Sequence, residues 1–227
     1  MAAAAAALTA LSGCALLSSP DPVQNYRFGL PVEAPSAVGD TPAPLTVAIR
    51  RIEFPQATGD DRILGVTGLE TAYIGGARWV SPASTLFDDS LKAAFANRAD
   101  RIRVLGRREA GTPPLVLQVT VTAFEARYAA PGAVPDVVVT ARAQLRSTPE
   151  RRAASSGTIR PEEGRSVERV FTVTQPAGDN RVSAIVAAFD TATRDINTQI
   201  ADWTISSANG RPVGLQSGLQ DAGLRMR

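Results

Sequence analysis

Few residues of this 227-residue chain are equipped for covalent chemistry. There is no histidine, and Cys14 is the only cysteine. Without imidazole, Ser-His-Asp and Cys-His triads are closed, as is every zinc site that uses histidine. A Ser-Lys arrangement would have to use Lys92, the single lysine against 23 arginines, and that residue sits on an ordinary predicted helix. The carboxylates include three adjacent pairs, Asp60/Asp61, Asp88/Asp89 and Glu162/Glu163. General acid–base work needs two carboxylates converging from different elements. Neighbours along one strand or helix diverge, so these pairs read as solvated surface. Gly65-x-x-Gly68 and Gly75-Gly76 lack the lysine and the strand-loop-helix setting of a phosphate loop and read as turns. No catalytic residue, metal site or cofactor is assigned, and a non-enzymatic role is expected.

That leaves the thiol. Residues 1–11 are apolar and end in Leu11, and Ser12-Gly13 supply small residues just before Cys14. The segment has the length of a signal-peptide core and is too short to span a bilayer. Leu11-Ser12-Gly13-Cys14 resembles the lipobox of bacterial lipoproteins, where a diacylglycerol is attached to the cysteine sulfur before cleavage. A thiolate is the nucleophile this requires, and each buried methylene of the acyl chains adds about 0.8 kcal/mol of membrane affinity. The expectation is a signal peptide over 1–13 and a palmitate-type lipid anchor on Cys14. The alternative is a low-complexity start followed by a buried thiol. No Lys or Arg precedes Arg27, a departure from the charged start of a signal peptide. Either the free amino terminus suffices or the true start lies upstream. Ala15 stands where an inner-membrane retention signal carries Asp, which favours the periplasmic face of the outer membrane over inner-membrane retention.

The elements that follow define the body to be anchored. Residues 14–44 contain six prolines and read as a tether, with Asn25–Leu30 a more apolar stretch able to dock as an edge strand. Strands are expected at Leu45–Ile52, Arg62–Val66, Leu69–Ile74 and Arg101–Leu105, with Gly75-Gly76 ending the third. Ser81-Pro82 reads as the N-cap and first position of a helix reaching about Asn97, whose apolar stripe is Leu86, Phe87, Leu91, Ala94 and Phe95. Leu115–Phe124, Val137–Leu145 and Ser166–Val173 form an antiparallel meander. On the middle strand Val137, Val139, Ala141, Ala143 and Leu145 share one face. Asp179 or Asn180 is expected to cap a second helix running to Trp203. Pro149 to Gly164 is a polar excursion, and 206–227 reads as a disordered tail.

Two amphipathic helices must bury their stripes on a sheet. The expected fold is α+β, a two-layer domain over 45–205 with a mixed, mostly antiparallel sheet of five or six strands and both helices on one face. A net charge of +2 is too small to argue for nucleic acid. The paired arginines are scattered rather than clustered, so a solvated surface is preferred to a lipid-headgroup patch. Trp79, just before the first helix, is either a staple of the helix entry to the core or an exposed anchor for a partner.

The run Arg62-Ile63-Leu64-Gly65, Tyr73, Trp79-Val80-Ser81-Pro82, Leu86, Leu91 and Phe95 resembles the ABC-type transport auxiliary lipoprotein family, which includes the Pqi-type lipoprotein. The resemblance spans about Cys14 to Trp203 and takes in Tyr26-Arg27-Phe28 as a Tyr-x-Leu-like segment. It implies a fold similar to the TolB N-terminal domain. It also implies an auxiliary role beside an MCE (mammalian cell entry) protein and its ABC permease and ATPase, moving lipids such as phospholipids between membranes. Tyr73 and Trp79, both within the run that carries the resemblance, are taken as the candidate partner-binding residues. The alternative is a stand-alone lipid-binding or envelope-assembly lipoprotein, which would need an enclosed apolar cavity of about 300 Å3 or more. A periplasmic hydrolase is disfavoured by the missing histidine.

Overall fold

The computed structural model describes residues 22–29, 45–106, 113–148 and 165–210. Cys14 and its neighbours, the excursion from Pro149 and the chain beyond Gly210 lie outside them. The order is β1 (Gln24–Tyr26), β2 (Leu45–Ile49), β3 (Arg62–Thr67), β4 (Glu70–Trp79), α1 (Ala83–Ala96), β5 (Ile102–Val104), β6 (Leu115–Tyr128), β7 (Asp136–Ser147), β8 (Ser166–Pro176) and α2 (Val182–Ala208). The fold is α+β, with all eight strands in one mixed sheet.

The meander is its spine. β7 pairs antiparallel with β6 and β8 along nearly its whole length. Val137, Val139, Ala141, Ala143 and Leu145 are all buried, the alternation expected of a sheet with one covered face. α2 covers β7 and β8, and α1 packs beside it against β5. Full burial of each large apolar side chain here contributes roughly 1.5–3 kcal/mol.

β6 departs from simple alternation. Leu115, Leu117, Val119 and Val121 are buried, and so are Phe124 and Ala126. A bulge at Thr122 shifts the register, with Val121 opposite Ala141 but Ala123 opposite Thr140. One extra residue inverts the facing of everything after it, which keeps Phe124 inward.

The sheet exceeds the expected five or six strands because β6 is long enough to pair with two strands in line. β2 runs parallel to it from Val47↔Leu115 through Ile49↔Leu117, and Glu53 bridges Thr120. The chain then loops out at Phe54–Asp61 and returns as β3, parallel at Gly65↔Ala126. Gly75-Gly76 does not end a strand. β4 continues to Trp79 through an irregularity between Arg62↔Arg78 and Leu64↔Tyr73, with Gly76 at φ 67°.

Neither helix uses the expected cap. Pro82 holds the N-cap position of α1, and the first helical N–H groups donate to the loop instead: Ala83 to the Asp60 carbonyl at 2.9 Å and Ser84 to the Gly59 carbonyl at 3.2 Å. Arg181 begins α2 without a side-chain cap. Asn180 donates to the Gly132 carbonyl at 3.1 Å, and Asp179 pairs with Arg181 at 2.8 Å, so other partners have claimed both candidates. α2 also runs past the expected boundary, to Ala208.

Candidate functional site

The stretch of the tether able to dock as an edge strand does so, and it also enters the core. β1 lies parallel to β4, with Gln24 opposite Ala77 and Tyr26 opposite Trp79. Two residues on, Phe28 is 1% exposed. Its ring meets Trp79 edge-on at 4.8 Å and lies tilted on Phe124 at 5.2 Å. Such aromatic pairs add about 0.5–1.5 kcal/mol each beyond burial. Gly29 follows at φ 68°. Its N–H donates to the Asp190 carboxylate on α2 at 2.8 Å, and a Cβ there would stand 2.6 Å from the Ser90 Cβ on α1. Only glycine combines that backbone angle with that approach. Tyr26–Gly29 is therefore a clasp across β4, α1 and α2, and it joins the chain leading back to Cys14 to the centre of the domain. Its traces in the sequence were the apolar character of Asn25–Leu30 and the Tyr-x-Leu-like segment Tyr26-Arg27-Phe28.

Trp79 belongs to this clasp. It is 2% exposed and meets Phe189 at 5.4 Å, nearly perpendicular. A partner cannot reach the ring without opening the core, so its exposed-anchor reading gives way to a structural one. Its indole N–H has no hydrogen-bond partner among the described residues. Tyr73 is different: it is 37% exposed, its hydroxyl donates to the Ala57 carbonyl at 3.2 Å, and the Arg62 guanidinium sits 3.8 Å from the ring centre. The two residues are not brought together, since Tyr73 lies on β4 opposite Leu64, away from the clasp.

The acidic pairs do not converge. Asp61 is bound by Arg78 at 2.9 Å and Asp88 by Lys92 one turn along α1. Glu162/Glu163 lies outside the described residues. Among the described residues no three His, Cys, Asp or Glu side chains are grouped to hold a metal.

Clefts among the described residues open to solvent. One, of about 580 Å3, lies over Phe171 and Trp203, with Arg101, Arg169 and Asp202 at its walls. Another, of about 850 Å3, separates α1 from β2 and β5, with Arg50, Arg51, Asp88 and Lys92 beside Ile49 and Val104. Neither is the enclosed apolar chamber that a lipid-holding domain requires. Burial pushes the Tyr128 phenol above its ordinary value of 10.0.

A family model described as ABC-type transport auxiliary lipoprotein component matches residues 26–201. The chain belongs to that family. The match starts at Tyr26, so the clasp is part of the auxiliary lipoprotein domain rather than an appendage to it. Among solved structures, a Xanthomonas campestris protein of family DUF330 is 22% identical and superposes with a TM-score of 0.62, covering 82% of this chain and 98% of its own. A further uncharacterized protein is 16% identical with a TM-score of 0.59, covering 80% and 98%. These likenesses concern the fold. No curated protein matches. No described helix of this auxiliary lipoprotein is long and apolar enough to cross a membrane.

Proposed function

We propose that this chain is the lipid-anchored, non-enzymatic auxiliary component of an MCE-type ABC transport system that moves lipids between membranes. In this reading it is anchored through Cys14 at the periplasmic face of the outer membrane. The observation that carries it is the family match over residues 26–201, a span that runs from the clasp into α2. The domain offers what an adaptor needs: a rigid body whose core grips the chain leading to its anchor. The stand-alone lipid-binding reading is less well served, because the clefts are open and carry charged walls. Of the two aromatic residues assigned to partner binding, Tyr73 keeps a contact surface and Trp79 acts through the clasp.

The test is to cross-link the acylated protein in its own cells, recover it and identify its neighbours. Recovery of an MCE-domain protein together with its permease supports the adaptor. Repeated recovery of neither, with Cys14 acylated and the protein abundant, refutes it.

A further inference from the structure

One end of the sheet carries an uncharged, apolar loop where water would favour the opposite, although the charged pair Asp179 and Arg181 stands beside it, next to Asn180, which donates to the Gly132 carbonyl. Tyr128-Ala129-Ala130-Pro131-Gly132-Ala133-Val134-Pro135 joins β6 to β7, and its only polar side-chain atom is the Tyr128 hydroxyl. Ala129, Ala130, Pro131 and Gly132 are exposed, and Val134 is 52% exposed. Beside this loop stands the tip of the β3–β4 hairpin, since Thr67 lies opposite Tyr128. At that tip Leu69 is fully exposed, at 103%. A lone exposed leucine needs no explanation. A leucine beside an apolar loop is a patch, and patches mark contact surfaces.

The direction of the tether selects the occupant. β1 is parallel to β4, and β4 runs away from the hairpin tip, so the chain before Gln24 points back toward that tip. Cys14 precedes Pro22 by eight residues, which span at most about 26–29 Å. Gln24 lies opposite Ala77, and Arg78 lies opposite Arg62, five residues of β3 from Thr67 at the tip. At about 3.3 Å per residue the tip is roughly 17 Å away. The opposite end of the sheet, at Leu115, is about nine residues of β6 from the same level, or roughly 30 Å, and lies behind the exit direction. Counted from Gln24, the ten residues back to Cys14 span at most about 33–36 Å, so the tether reaches the apolar end with slack, and the other end only fully extended and turned back against its exit direction.

We propose that the exposed apolar end, Leu69 with the Ala129–Val134 loop, rests in the interface of the bilayer that holds the Cys14 acyl chains, so that the domain stands on that end. This rests on Cys14 being the anchor. Apolar side chains on a short loop insert at the headgroup boundary, strengthened by a lipid anchor that supplies most of the affinity. Glu70, Asp136 and Asp179 flank the patch together with Arg127 and Arg181, so the charge around it is mixed and a zwitterionic surface suffices.

The experiment couples the full chain through its one cysteine to maleimide-headgroup lipid in phosphatidylcholine vesicles, so the anchor is present whatever the native host does. Leu69→Trp, Val134→Trp and, at the far end, Ser166→Trp are compared using brominated phosphatidylcholine as the quencher. The two native indoles are buried and give a constant background. Quenching at 69 and 134 at least about threefold above that at 166, lost from Val134→Trp when Leu69→Asp is added, supports the contact. Equal quenching at all three sites, or more at 166, overturns it. A dimer of the uncoupled chain that shields position 69 from iodide overturns it in favour of a second copy. The anchor is checked separately by the mass of the Cys14 peptide from native cells. An unacylated Cys14 refutes the anchor and with it the native contact, whereas an acylated Cys14 with a water-exposed position 69 refutes the contact alone.

Discussion

The two ends of the β6–β7–β8 meander are opposites. At one end the β6–β7 loop carries no charge, and Leu69 and Val134 face water. At the other, the exposed Arg101, Arg146, Arg165 and Arg169 gather around the start of β6 and the last turn of α2. Among the described residues, Arg101 meets Asp100 at 3.9 Å, Arg146 donates to Gln144 at 2.7 Å, Arg169 lies over the Phe171 ring, and nearby Arg98 holds Asp202 at 2.6 Å. Guanidinium groups pair bidentately with carboxylates and phosphates and suit an acidic partner, whereas alanine, proline and leucine suit an interface that excludes water. Charge is therefore distributed unevenly between the two ends, and the clasp directs the chain before Gln24 toward the end with the apolar loop.

The largest effect is expected from breaking the clasp. Phe28→Ala removes a buried ring between Trp79 and Phe124 and should lower stability by about 3–5 kcal/mol in denaturant unfolding. On vesicles it should also erase the quenching contrast between positions 69 and 166, because the tether then leaves from a different place. Gly29→Ala is expected to cost about 1–3 kcal/mol, since the new Cβ meets Ser90 and the left-handed backbone is strained. A second-site Ser90→Gly should recover part of the loss.

Smaller changes sharpen the contrast without unfolding anything. About sixteen Gly/Ser residues inserted between Cys14 and Pro22 would extend the reach to about 80 Å and should cut the vesicle contrast severalfold, leaving the unfolding midpoint unchanged. Leu69→Asp should alter folding stability by less than about 0.5 kcal/mol, as a surface position does, yet weaken the membrane contact. The smallest effect concerns Tyr128. Burial raises its phenol, so the folded state favours the neutral form. That contribution is complete below pH 10.0 and is lost as pH rises past that value through the folded-state pKa. Tyr128→Phe should flatten the alkaline limb of a stability–pH curve and leave the pH dependence around neutrality untouched.

Much of the frame was legible because it rests on period. The five inward residues of β7, the stripe of α1 and, on α2, Ile185, Val186, Phe189, Ile196, Ile200 and Trp203 are buried as their spacing requires, with Val182 at the helix start only half-buried. What failed depended on single residues meeting distant ones. Thr122 carries no bulge signature of its own, and it is a bulge because β7 runs past it one residue short. Ser81, Asp179 and Asn180 are sound caps by type, but α1 takes its cap from the Gly59–Asp60 carbonyls and Asn180 turns to Gly132. Trp79 could be weighed as staple or anchor from its position, and only its burial against Phe28 and Phe189 decides.

By itself, the sequence determined the inventory: one thiol, no imidazole, three adjacent carboxylate pairs and two amphipathic helices around a long meander. These follow from composition and local spacing, which need no partner across the chain. Only the tertiary structure decided that Phe28 enters the core, that β2 and β3 share one edge of β6, and that Leu69 and the Ala129–Val134 loop stand at the end toward which the tether points. Those facts depend on strand direction and register. Both are set by how separate segments bury their apolar faces together, and no window of local sequence contains that information.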